Sequence, residues 1–176
     1  MITPVPELSG ATYLYAVATV SITFVGFAAL LIVFRTSMGG ALTRYDTYFT
    51  LSFIQIGFIV TAAALLPPMF AVFGWEPHTV WRVASGLIVI PAVWFIATVP
   101  ARRRAATGAR IPLFIVALLA AQSAAAAALA AIAAGMLENV AAGIYVSATT
   151  TILITSGIAY LMALGIMLPG MTKKKD

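Results

Sequence analysis

The sequence has no cysteine, one histidine and few charges, and each scarcity closes off a class of chemistry. Without thiols there is no disulfide, no thiolate nucleophile and no thiolate-bound metal or iron–sulfur cluster. One imidazole, His78, can neither hold a haem on both axial sides nor build a multi-histidine metal site, and it reads as an interfacial loop residue. GxSxG, HExxH, glycine-rich phosphate loops and paired carboxylates are all missing, so an enzyme would have to work with hydroxyls and amides alone. The expectation is a non-catalytic protein with no metal and no cofactor.

Charge is the most telling shortage. Of 176 residues, 62 % are hydrophobic and 9 % charged, against roughly a quarter charged in a soluble domain. A globule of this size cannot hide so much apolar surface. Apolar runs of about 20 residues recur, each long enough to cross a hydrocarbon core of roughly 30 Å at about 1.5 Å per residue. The sequence therefore predicts an all-α integral membrane protein, a five-transmembrane-helix bundle forming one membrane domain over 1–176.

The runs predict helices at 11–34, 45–66, 79–98, 112–136 and 140–168. Arg35 closes the first, before a glycine-rich exit. Pro67-Pro68 is expected to end the second, because proline removes a donor and pushes the preceding residue out of the α region. The apolar segment 69–75 is too short to span and is placed at the interface, with Trp75 as a headgroup-level anchor. Pro91 deprives the Leu87 carbonyl of its helical donor and predicts a kink in the third helix. Arg102, Arg103, Arg104 and Arg110 read as one basic loop, Pro112 suits the first turn of the fourth helix, and Pro169-Gly170 stops the fifth. Residues 1–10 carry Glu7 but no Lys or Arg, so they lack the basic region of a cleavable signal, and the first run is expected to stay as a helix.

Threading these spans with the N-terminus outside and the C-terminus cytoplasmic puts Arg35, Arg44, the four loop arginines and Lys173, Lys174 and Lys175 on the inner side, leaving only Arg82 outside. Glu7, Glu76 and Glu138 fall outside. The reverse orientation contradicts the positive-inside bias. That bias also explains the net charge of +5 without nucleic acid, since the basic residues flank apolar runs. The expected partners are membrane lipids, with contacts from the basic segments to anionic headgroups, and further copies of the chain or other membrane subunits.

Two helices are rich in small residues, which let helices approach closely in lipid. The fourth is nearly continuous alanine from Ala124 to Ala134. The fifth repeats small residues every four positions, at Gly143, Ser147, Thr151, Thr155, Ala159 and Ala163, a spacing that marks a packing seam. Counting depth at about 1.5 Å per residue places Ser21, Thr23, Gln55, Gln122, Thr149, Thr150 and Thr151 near one midplane layer. Such a layer is either packing glue or a binding or permeation site. No Asp, Glu, Lys or His sits centrally in a span, which argues against ion-coupled transport. Arg82 lies one turn inside the third helix, where Glu76, Glu138 or Glu7 can pair with it at the outer interface. Asp46 complements the positive end of the second helix.

The segment from Thr23-Phe24-Val25-Gly26-Phe27-Ala28-Ala29-Leu30 to Phe34-Arg35, with Ala64-Leu65-Leu66-Pro67-Pro68, resembles a loose group of small bacterial multi-pass membrane proteins without assigned function. The resemblance implies a bacterial inner membrane and carries over no site residues. The leading expectation is a non-catalytic membrane subunit, structural or accessory, in a homo-oligomer or larger complex. The alternatives are a channel or facilitator for a neutral or weakly polar solute through the midplane layer, and a lipid- or quinone-binding protein.

Overall fold

The computed structural model describes residues 8–37, 42–108 and 111–167. Glu7, Arg110, the glycine-rich exit at 38–40, Pro169-Gly170 and the terminal lysines lie outside the described residues. Among those described there is no strand. Five helices form: α1 (Ala11–Ser37), α2 (Arg44–Val72), α3 (Pro77–Thr107), α4 (Leu113–Ala133) and α5 (Ala141–Met167), the last preceded by a 3-10 turn at Glu138–Val140. All five are long and apolar enough to cross a membrane.

The helices begin and end where their backbone groups find partners. At the start of α2, Thr43 Oγ1 accepts from Asp46 N while Asp46 Oδ2 accepts from Thr43 N, a reciprocal capping box. Arg35, in the last turn of α1, meets Asp46 Oδ1 at 2.8 Å and ties the two helices together. Gly108 ends α3 in the left-handed conformation at φ 64°. Gly135 at φ 77° ends α4, with Gly135 N donating to Ile132 O and Met136 N to Ala131 O, a Schellman arrangement.

Two sequence expectations need correction. Helix α2 does not stop at Leu66: it runs through Pro67-Pro68 to Val72, so 69–72 continue the helix rather than forming a segment of their own. The carbonyl that Pro67 leaves without its i−4 donor is that of Ala63, and the buried Tyr145 hydroxyl donates to that oxygen at 2.7 Å. Nor do Arg102, Arg103 and Arg104 lie in a loop, because α3 continues through Pro91 and Pro100 to Thr107 and carries them on its last turns. Cations there suit the negative end of the helix dipole.

Helices α2, α3, α4 and α5 close into a four-helix bundle in which α2 touches α3 and α5, and α4 touches α3 and α5; α1 packs outside it, chiefly on α2. Close approach of α1 and α2 depends on Gly57, where any Cβ would collide with the Val25 side chain. Ser21 Oγ donates to Gly57 O across the same contact at 2.9 Å. The core is built from small and aliphatic side chains with Trp81, Phe53, Phe95, Tyr145 and Tyr160 between them.

Candidate functional site

Because α3 runs on to Gly108, Phe95, Val99 and Arg103 recur every four residues and share one face. That face turns inward at the end of the bundle that carries Arg35, Arg44 and the arginine run. There α2, α3, α4 and α5 enclose a partly open cavity of about 80 Å³, several times the space one water needs. Its walls are mostly apolar: Phe53 and Tyr160, stacked at 4.1 Å between ring centroids, with Ile56, Phe95, Val99 and Ile115. Polar side chains join them at Tyr48, Ser52, Arg103, Gln122 and Ser156, and among these Arg103 is the charged one.

Arg103 is only 8 % exposed. Its guanidinium lies 5.9 Å from the Phe49 ring centroid, and its buried Nε has no hydrogen-bond partner. Each described acid is paired elsewhere: Asp46 with Arg35, Glu76 with His78 at 3.4 Å, and Glu138 with Arg82 at 3.8 Å. Among the described residues, then, no carboxylate neutralises Arg103. The adjacent Arg102 diverges by one helical step, donates from Nη1 to Gln55 Oε1 at 2.6 Å, and stands over the rings of Trp94 and Phe95. Arg104 is exposed.

Gln122 is 6 % exposed, and its Nε2 donates to Thr155 Oγ1 at 3.2 Å and Ser156 Oγ at 3.1 Å. Both hydroxyls have already given their protons to backbone carbonyls of the preceding turn. They can therefore only accept, which fixes the amide with its NH₂ toward α5 and leaves the buried Oε1 unpartnered.

The other polar residues predicted near mid-helix have separate partners, Thr149 excepted. Ser21 bonds α2, Gln55 bonds Arg102, and Thr23 and Thr151 bond carbonyls of their own helices. Thr150 donates to Val146 O and accepts from the Tyr13 phenol, while buried Thr149 Oγ1 has no partner. Gly143, Ser147 and Thr151 border α4 along an open groove shared with Ala121, Ala124 and Ala128. Thr155 instead faces Gln122, and Ala159 lines the cavity. At the far end Arg82 faces Glu138, and Glu76 faces His78. No cluster of His, Asp or Glu fit to hold a metal occurs among the described residues.

Sequence reasoning missed Arg103, Phe53 and Tyr160 as a unit. Gly108, a ready left-handed cap, was the available signal that the third helix runs far enough to turn Arg103 inward. Fold and site together define a five-helix protein with a mostly apolar cavity bordered by a cation without a carboxylate partner among the described residues, an unpartnered amide oxygen and the unpartnered hydroxyl of Ser52. No protein-family model, curated protein or solved structure matches the chain.

Proposed function

We propose that this chain is a non-catalytic, multi-pass membrane protein that binds one amphiphilic, lipid-like molecule by taking its head and first carbons into the partly open cavity between α2, α3, α4 and α5, the remainder of the alkyl chain lying outside. The observation that carries this reading is the cavity itself: aromatic and aliphatic walls suited to an alkyl chain, partly open, with polar groups at two levels. In the orientation favoured by the positive-inside bias, the N-terminus is outside and the cavity opens in the cytoplasmic half of a bacterial inner membrane. Absence of catalytic motifs from the sequence supports a binding role, with the lipid-bound chain acting as an accessory component.

A channel through the mid-helix polar residues has less support, since Gln55 is engaged by Arg102 and Gln122 by α5. Purification in mild detergent followed by native mass spectrometry tests the reading. Wild-type protein is expected to retain a single lipid adduct, and Ala159→Phe, which fills the cavity, to lose it while remaining folded. Equal lipid retention by both proteins overturns the proposal.

A further inference from the structure

We infer that the molecule in this cavity has an oxyanion head, a phosphate or a carboxylate, bound by Arg103, and a hydrogen-bond donor deeper in, which meets Gln122 Oε1. The inference rests on the cavity-binding reading and adds the chemistry of the ligand. Its first support is Arg103, a residue more than nine-tenths buried, with no carboxylate partner among the described residues and a buried Nε without a hydrogen-bond partner. Removing an ion from water costs more than one aromatic ring returns, so a counter-charge completes the site. The guanidinium fork matches phosphate and carboxylate oxygens, and no acidic side chain lines the cavity to repel them.

The second support is independent. Gln122 Oε1 is buried and cannot be satisfied by its neighbours, because the nearby hydroxyls of Thr155 and Ser156 have spent their protons. An occupant that carries a donor at this depth completes the bond. Counting about 1.5 Å per residue back from Gly108 to Arg103 and forward from Leu113 to Gln122 sets their backbone levels roughly 6 Å apart. An acyl chain with a charged head and a hydroxyl a few bonds below it fits that spacing.

Binding to the purified full chain in nanodiscs of zwitterionic lipid, read by native mass spectrometry, tests both contacts. The probes are lysophosphatidate against the monoacylglycerol of the same chain for the head, a hydroxylated against a plain fatty acid of equal length for the donor, and inorganic phosphate alone. Lysophosphatidate is expected to bind at least about tenfold more tightly than the monoacylglycerol, as a charge-assisted hydrogen bond implies. Arg103→Gln should erase that preference and Arg104→Gln should keep it. Gln122→Leu should bring the hydroxylated and plain acids to equal affinity.

Equal binding of lysophosphatidate and the monoacylglycerol, unaltered by Arg103→Gln, overturns the head assignment while leaving the cavity reading standing. If no amphiphile binds, the cavity reading fails instead. Phosphate binding as tightly as lysophosphatidate assigns the site to a free anion and overturns the amphiphile. Lipid-free stability separates ligand binding from scaffolding: Arg103→Gln should melt at the same temperature or higher, because it removes an unpaired buried charge. A marked fall would make Arg103 structural and overturn its assignment.

Discussion

At Ala63 the helical donor is missing because residue 67 is proline, and the hydroxyl of Tyr145 on α5 supplies it at 2.7 Å. The ring of Tyr145 also packs 5.2 Å from that of Trp81, so the phenol both fills the core and closes a backbone gap. Tyr145→Phe keeps the packing and removes the donor, at an expected cost of about 1–3 kcal/mol in detergent unfolding. The same change made in Pro67→Ala, where the backbone N–H is restored, should cost much less, and equal costs in the two backgrounds would refute this role. Gly57 makes a different contribution, the removal of a side chain. Gly57→Ala drives a methyl into Val25 and should cost about 1–3 kcal/mol. At Gly26, where an added Cβ meets nothing, alanine should be neutral or gain about 0.5–1 kcal/mol from helix propensity. Thermal melting of the two variants side by side checks the contrast.

Helix boundaries in this chain follow caps more closely than they follow proline. Residues 45–66 and 79–98 were legible as helices from their apolar runs, but Pro67, Pro68, Pro91 and Pro100 all lie inside helices that end later, at Val72 and Thr107. A proline stops a helix when the carbonyl it strands has nowhere to turn; at Ala63 a side chain from another helix accommodates it, and no local rule anticipates that. Gly108, by contrast, is a local signal, since only glycine adopts φ 64° at little cost. Gly108→Ala is expected to cost about 1–2 kcal/mol and to loosen the last turn of α3. Hydrogen exchange of the amides from Arg104 to Thr107 would report it. Lipid retention should fall with it if the turn aims Arg103 into the cavity, whereas unaltered retention would separate the cap from the site.

For the whole molecule, the absence of cysteine makes a direct orientation test possible, because any introduced thiol is the only one present. With the proposed topology, Glu76→Cys should react with an impermeant maleimide on intact cells, and Arg104→Cys only after the membrane is opened. The opposite pattern would invert the topology and place the cavity in the other leaflet. Number and approximate course of the apolar helices were already readable in the sequence, since a chain this poor in charge repeats runs of spanning length, and hydrophobicity is a property of each segment alone. So was the gathering of Arg35, Arg44 and the run from Arg102 to Arg104 at one end. The cavity was not readable. Phe53, Arg103, Gln122 and Tyr160 come from four helices, and apart from the inward face of α3 nothing in their local sequence marks them as neighbours. Gln55 and Gln122 stand at similar positions along α2 and α4, yet one is taken by Arg102 and the other by α5. Only helix packing decides which polar atoms find partners within the chain and which remain for a ligand, because hydrogen bonds reach about 3 Å and that precision belongs to the folded bundle.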